Sequence, residues 1–355
     1  MRAPLPLSAL GAGLLLAGGA GERLQFAPAA GSSVTKSFAA TGEFALDELS
    51  LIADGQDVGA MIGSLEVAME TSSRIVVTDV YRSAAEGRPT ELLRTFDELE
   101  SRTKLNMSQV PEIPEMEATS ELTGKTVRFL WNAETSDYEV SFHESEGEAS
   151  LLEGLEEDMD LRFLLPDEEV KPDGTWEIEL TELGALMMPG GNLRMLPTDA
   201  AAADPEALAL MEGLMDTFGQ KVGEKLEGQC QCTFKGLRTG DEAKLAEIEL
   251  EIQLAASLDM REFIQQAIQA GIAQTGQEIE VDFDIATADL TADYEGTGTL
   301  LWDTAAGRVH SFSLQGDLTF GVDLDVGIDA MGESHSMEAA MEMSGEWGLE
   351  VTTGE

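Results

Sequence analysis

The chain has 355 residues, of which 43% are hydrophobic, enough for one or two ordinary domains with sizeable cores. It carries 68 acidic and 21 basic residues, a formal net charge of −47. The sequence therefore lacks the basic patches that nucleic acids and anionic lipid surfaces require. A charge of this size indicates a solvated surface that salt or divalent cations stabilise by screening the repulsion between acids.

The N-terminal residues are typical of an export signal. Arg2 is positively charged, residues 5–16 form an apolar stretch, and Ala20 offers a small residue for cleavage. Residues 1–20 are therefore predicted to be a signal peptide, followed at 21–36 by a flexible lead-in rich in Ala, Gly and Ser. No later apolar run reaches about 20 residues, the length of a membrane helix. We expect an exported protein, periplasmic or extracellular, without a transmembrane segment in the mature chain.

Two segments resemble each other at a spacing of 171 residues, from Trp131 to Trp302. Each reads as an apolar strand that contains the tryptophan, a polar turn and an alternating strand, which is typical of a β-hairpin. The same spacing relates three more pairs of segments. Residues 74–81 and 245–252 are predicted to be strands, 92–99 and 263–270 are predicted to be helices, and Trp176 and Trp347 each begin a predicted strand. A recurring spacing predicts an internal duplication.

The predicted fold class is α+β and β-rich, with two tandem related halves, each a curved antiparallel sheet partly covered by helices. The halves are placed at 37–197 and 229–355. Residues 198–228 between them are predicted to be a linker and an amphipathic helix. Asp204 suits the N-cap of that helix, Pro205 suits its first position, and an apolar stripe follows.

The two cysteines, Cys230 and Cys232, are separated by one residue. An exported protein permits a disulfide, and residues i and i+2 share a strand face at roughly 6.6 Å, near the upper limit for a bridge. The spacing is compatible with two free thiols, buried or partly buried, or with a local disulfide. Two sulfurs without further ligands do not make a zinc site.

No pattern in the sequence predicts catalysis. The three histidines, His143, His310 and His335, are predicted to lie on strand surfaces, and no Gly-x-Ser-x-Gly motif occurs. Residues 124–126 resemble the end of a phosphate loop, but its first glycine is missing and a strand follows. We therefore expect no enzyme activity, no catalytic residue and no cofactor.

Two C-terminal segments place acidic residues on one side of a predicted strand. Residues 280–285 carry three acids at alternate positions. Residues 323–329 carry three aspartates, but Ile328 stands where a calcium loop has its turn glycine, and Ser334 stands where it has its last glutamate. We expect no metal site. If the two strands are neighbours, like charges face each other at a cost of about 0.2–1 kcal/mol per pair.

Three features of the chain are shared with a group of other proteins: the strand at 175–180, the Met-Pro-Gly-Gly sequence at 188–191 and the hairpin at 298–317. With them, the chain resembles exported, acidic, Met-rich bacterial proteins of uncharacterised function. More loosely, it resembles the lipoprotein-carrier fold, a curved antiparallel sheet with covering helices. That resemblance is one of architecture, and a fold does not determine a function.

The predicted function is that of an exported, non-enzymatic binding protein. Amphipathic strands and 16 methionines favour an adaptable apolar surface on the concave face of a sheet, which would hold an apolar small molecule or a hydrophobic segment. The alternative is a structural or assembly protein of the cell envelope that acts through an acidic, Ca²⁺-responsive surface. No oligomeric state is predicted.

Overall fold

The computed structural model describes residues 21–59, 65–108, 113–198, 225–239, 244–274, 281–330 and 333–354. Its dominant element is one antiparallel sheet of 14 strands. The described α-helices are α1 (Gly184–Met187) and α2 (Arg261–Gln274). The strands are β1 (Ser32–Ala53), β2 (Gln56–Asp57), β3 (Val67–Ala85), β4 (Arg88–Met107), β5 (Met116–Thr119), β6 (Thr126–Asn132), β7 (Asp137–Phe142), β8 (Thr175–Glu177), β9 (Leu196–Pro197), β10 (Leu226–Thr239), β11 (Lys244–Asp259), β12 (Val281–Asp303), β13 (Arg308–Ala330) and β14 (Glu333–Gly354).

The strand order is β7-β6-β4-β3-β1-β14-β13-β12-β11-β10-β8, with β2 beside β1, β5 beside β4, and β9 beside β5. The first long strand therefore pairs with the last. Their register runs from Thr35 opposite Gly354 to Ala53 opposite Met337, the full length of both strands. This pairing joins the two predicted halves in the middle of a single sheet.

The strands are long because apolar and polar residues alternate over about twenty positions, the period of a sheet with two different faces. One hydrophobic cluster lies against one face and includes Phe38 and Val77 from the first half and Ile248 and Val351 from the second. The segment between β7 and β9 contributes further buried residues, among them Leu164. That segment is mostly irregular, with 3₁₀ turns and α1 as its only helix among the described residues.

The prediction of an α+β fold with two helix-covered halves is wrong. A single sheet and a single core contain both halves. Residues 92–99, predicted to be helical, lie in β4. A β-bulge opposite Val76 and Val77 leaves Asp97 unpaired, so Phe96 and Leu99 are both buried despite a spacing of three. An irregular strand thus reproduced the apolar spacing of a helix.

Residues 21–36, predicted to be a flexible lead-in, are packed in the structure. Leu24 and Phe26 are buried, and the Phe26 ring meets the Tyr81 ring edge to face at 5.5 Å. Glu22 exchanges two backbone hydrogen bonds with Val170, at 2.8 and 2.9 Å. This part of the chain therefore packs, before β1 begins, against the segment between β7 and β9, which is called the covering segment.

Both tryptophan hairpins form as predicted, Trp131 within β6–β7 and Trp302 within β12–β13. Residues 263–270 lie in α2, but their counterpart at 92–99 is a strand, so that part of the duplication is wrong. For the remaining segments the duplication stays a prediction. The predicted signal peptide and the apolar stripe of the helix predicted after Asp204 lie outside the described residues. Among the described helices, none combines the length and apolarity needed to span a membrane.

Candidate functional site

The side of the sheet that carries the hydrophobic core is called the core face. On it Phe312 of β13 pairs with Leu300 of β12 and Val351 of β14, and all three are buried. The alternation continues along β13 without interruption, so Leu318 and every second residue after it lie on the same face. The part of the core face beyond Trp347 is called the distal face. Its apolar residues include Leu46, Leu49, Leu51, Leu290, Ala292, Leu318, Phe320, Val322, Leu324, Met341 and Met343.

Aromatic rings mark the boundary of the distal face. Tyr294 and Trp347 meet edge to face with centroids 5.9 Å apart, and Phe44 meets Phe320 in the same way at 5.5 Å. Gly316 lies between Tyr294 and Trp347 in the sheet, and a Cβ added there would come within 2.7 Å of the Tyr294 ring. Glycine at this position lets the tyrosine ring lie close to the backbone.

Most of the distal face is half-buried, although Val326 and Met343 within it are buried, whereas most of the core face before Trp347 is closed. Leu318, Phe320, Val322 and Met341 are all of intermediate exposure, while Leu314, four residues before Leu318 on the same face, is buried. Apolar side chains that continue a core row without being closed off are the feature expected of a surface that receives an apolar partner.

A cavity of about 510 Å³ lies where α2 meets β12. Its lining includes Phe283 and Ile285, which belong to the core-face positions of β12, and the polar residues Glu262 and Gln265 of α2. The volume is within the range of small-molecule sites, roughly 300–1,000 Å³. Five of its seven lining residues are polar or charged, and they come from the end of β11, from α2 and from β12. Phe283 and Ile285 therefore place the distal face beside a largely polar site.

A second feature of the core face is a buried charge cluster, formed by Lys36, Asp79, Arg94 and Asp160. Adjacent strands β1, β3 and β4 supply the first three, and the covering segment supplies Asp160. All four side chains are fully buried. Two positive and two negative charges compensate each other, which is the condition under which buried ions are tolerated.

Each charge in the cluster is met by direct contacts. Arg94 donates from Nε to Oδ1 of Asp79 at 2.8 Å and from a terminal nitrogen to Oδ2 at 2.9 Å. Lys36 Nζ lies 2.8 Å from Oδ2 of both Asp79 and Asp160. The hydroxyl of Tyr81 donates to Asp160, with its oxygen 2.6 and 2.8 Å from the two carboxylate oxygens.

These contacts determine the protonation of the cluster. Burial acts to raise the pKa of Asp79, but the charges and hydrogen bonds of Arg94 and Lys36 outweigh it and lower the pKa to about 2. Burial, together with the neighbouring charge of Asp160, raises the pKa of Tyr81 well above its ordinary value. Asp79 is therefore ionised and Tyr81 is a neutral donor at any ordinary pH.

Glu157 and Arg162 extend the cluster toward the covering segment. Arg162 contacts Glu157 at 2.5 Å and Asp158 at 3.0 Å. The backbone carbonyl of Glu157 accepts a hydrogen bond of 2.8 Å from Arg94. Burial raises the pKa of Glu157 to about 7, against the opposing charge of Arg162 and with the support of Asp158. Glu157 is thus a buried carboxylate that titrates near neutral pH.

The opposite face of the sheet carries a row of facing acids, called the acidic row. The register places one acid on each of five adjacent strands, directly opposite its neighbours: Glu295, Asp317, Glu346, Glu43 and Glu70. Gln253 follows the row at one end and Lys104 at the other. The two acidic segments expected from the sequence are also neighbours, with Asp282 of β12 opposite Asp329 of β13.

The other residues considered from the sequence lie apart from these features. His310 and His335 are exposed, and His335 lies 3.0 Å from a carboxylate oxygen of Asp54. Cys230 and Cys232 are buried free thiols, which agrees with one of the two alternatives. Within the described residues no three His, Cys, Asp or Glu side chains are grouped to hold a metal ion.

The buried charge cluster was not predicted from the sequence, although the sequence contains a signal for it. Lys36 stands between Val34 and Phe38 at a core position of its strand, and Arg94 stands between Leu92 and Phe96. A charged residue at a position that alternation assigns to the core requires a buried partner. Such positions on neighbouring strands are the pattern that could have predicted the cluster.

No protein-family model matches the chain, and no curated protein is similar to it. Among solved structures, the high-pH structure of Pseudomonas putida OprB covers 88% of this chain and 94% of that chain, with 6% identity and a TM-score of 0.13. A TM-score of this size carries no argument about the fold or the function.

Proposed function

We propose that this protein is an exported, non-enzymatic binding protein that holds an elongated apolar ligand, such as a lipid acyl chain, on the distal face. The observation that supports the proposal is the half-buried state of Leu318, Phe320 and Val322, which continue the closed rows of the core face. Covering apolar surface yields about 25 cal/mol per Å² removed from water. A hydrocarbon ligand would gain this free energy along the whole strip.

The dimensions of the distal face fit a chain-like ligand. From Leu318 to Ile328 the strand extends about 34 Å, at about 3.4 Å per residue. Met337 and Met341 lie along the neighbouring strand β14, and their unbranched side chains adapt to ligands of different shape. The cavity beside α2 offers polar side chains, such as Gln265, for a polar head group.

The experiment measures binding of a fluorescent fatty acid to the purified protein. Val322→Asn places a polar group on the distal face and should weaken binding by about tenfold, or about 1.4 kcal/mol. Thr319→Asn, on the opposite face of the same strand, is the matched control and should bind like the unaltered chain. No binding by the unaltered chain, or equal weakening in both variants, would contradict the proposal. Competition by an apolar peptide alone would indicate a hydrophobic segment as the ligand.

The acidic row favours a second candidate function, that of an envelope assembly protein with a Ca²⁺-responsive surface. Repulsion between Asp317, Glu346 and Glu43 is relieved by cations, and divalent cations are the most effective. Calorimetry with and without millimolar Ca²⁺ tests this function, because a bound ion raises the melting temperature. An unchanged melting temperature would exclude this second function.

A further inference from the structure

The buried charge cluster brings a primary amine against two carboxylates where no solvent reaches. The side chains of Lys36, Asp79 and Asp160 are all 0% exposed. Lys36 Nζ lies 2.8 Å from Oδ2 of each aspartate. An amine and a carboxyl group held in contact and out of water are the two reactants of an amide bond, already placed for reaction.

The two aspartates are not equivalent. Both oxygens of Asp79 accept hydrogen bonds from Arg94, so Arg94 compensates the charge of this carboxylate even without Lys36. Asp160 instead receives the hydroxyl of Tyr81, which reaches both of its oxygens. A neutral hydroxyl donor does not compensate a charge. Lys36 is therefore the cation that balances Asp160, and the pair can become neutral by moving one proton between them.

We propose that Lys36 and Asp160 form an intramolecular isopeptide bond. One proton passes from the ammonium group to the carboxylate, which leaves a neutral amine and a carboxylic acid. The Nζ lone pair then attacks Cγ of Asp160, and a bond from Nζ to Cγ forms. The bond from Cγ to one carboxyl oxygen breaks, and that oxygen leaves as water with the acid proton and one amine proton. No oxidant, reductant or further reactant takes part.

The surroundings favour each step. The Lys36 amine and the Asp160 carboxylate are in direct contact, so the proton that must leave the ammonium group can pass to the carboxylate without a bridging water. The Tyr81 hydroxyl is placed to donate to the oxygen on which negative charge develops as Nζ attacks. Asp79 lies against Nζ on its other side and accepts a hydrogen bond from it at 2.8 Å, which holds the amine in place. Arg94 remains paired with Asp79, so the cluster is neutral before and after the reaction.

The bond would tie β1 to the covering segment, two parts of the chain that are far apart in sequence. A cross-link of this kind limits the unfolded chain and so favours the folded one. Unlike a disulfide, it does not depend on the redox state of the compartment. This matters here because Cys230 and Cys232 are free thiols.

Peptide mapping of the denatured, trypsin-digested protein tests the proposal. Trypsin cleaves after Lys36 only if its side-chain amine is free. The linked protein should give residues 24–74, uncleaved at Lys36, joined to residues 129–162, with a mass one water below the sum of the two. Separate peptides and normal cleavage after Lys36, from protein shown to be folded before digestion, would overturn the proposal.

Two variants distinguish the bond from simple ion pairing. Asp160→Asn should still link, with loss of ammonia in place of water, because a carboxamide offers the same carbon to the amine. Lys36→Arg should give no joined peptide, while a joined peptide in that variant would overturn the assignment of the amine. If Lys36→Arg does not fold, the digest of the unaltered protein decides the question alone.

Discussion

The Tyr294 ring meets the Trp347 ring at 81° with Gly316 between the two strands that carry them. This contact separates two regions of one continuous face. Leu314 on the core side of it is buried, and Leu318 beyond it is half-buried. The contact therefore marks where the core ends and the proposed ligand surface begins.

Replacing Gly316 by Ala should destabilise the protein by about 1–3 kcal/mol, because the new methyl group overpacks the aromatic contact. A Cβ there would lie 2.4 Å from the carbonyl oxygen of Glu295 as well as against Tyr294. Gly327→Ala is the control on the same strand, since its Cβ meets nothing closer than 3.6 Å. Urea denaturation measures both. Equal effects of the two substitutions would show that the aromatic contact is not tight.

Removing one member of the buried charge cluster should cost far more than removing an exposed charge. Asp79→Ala leaves Arg94 buried without its carboxylate, and we expect a loss of about 3–5 kcal/mol in the free energy of unfolding. Glu98→Ala breaks an ion pair with Arg74 of similar length, 2.9 Å, that is exposed to solvent. That control should change stability by about 0–1 kcal/mol. A small loss for Asp79→Ala would mean that water enters the cluster.

The sequence predicted the local strands better than the way they assemble. Alternation located β11 and the Trp302 hairpin, because strand periodicity is a local property. It could not predict that β1 pairs with β14, since a contact between the two ends of a chain has no local signal.

Glu157 should make stability depend on pH near neutrality. Its pKa rises from 4.5 to about 7 on folding, so the folded chain binds this proton more tightly than the unfolded chain does. The free energy of unfolding should then fall as the pH rises from about 4.5 to about 7, by about 3 kcal/mol in total. Glu157→Gln lacks this titration. Melting curves of both proteins between pH 5 and about 7.5 should therefore diverge in favour of the variant as the pH rises, and parallel curves would contradict the assignment.

The two hairpin tryptophans should contribute unequally to stability, although they occupy equivalent places in the two similar hairpins. Trp302 is fully buried, so Trp302→Ala should cost about 3–5 kcal/mol. Trp131 is half-buried and lies beneath the guanidinium of Arg88, 4.2 Å from the ring centre. Trp131→Ala should cost less, about 1–2 kcal/mol, from lost burial and the cation–π contact. Thermal denaturation of both variants measures the difference, and a larger loss for Trp131→Ala would contradict it.

Because of the acidic row, replacing Glu346 should change stability in a way that depends on salt, and Glu350 offers a matched control. Glu346 faces Asp317 on one side and Glu43 on the other, so Glu346→Gln removes two repulsive pairs worth about 0.2–1 kcal/mol each. Glu350, on the same face of β14, faces Ser313 and Ala39, which are neutral. Glu346→Gln should therefore stabilise the protein at low salt, and Glu350→Gln should not.

The gain from Glu346→Gln should disappear at about 1 M salt, where the screening length falls to about 3 Å, less than the separation of facing residues. Urea denaturation at low and high salt measures the change. If the gain persisted at high salt, its cause would be packing or strand propensity and not charge. If Glu350→Gln gave the same gain, the relevant repulsion would be that of the whole protein's net charge, and the register of the acidic row would have no energetic role of its own.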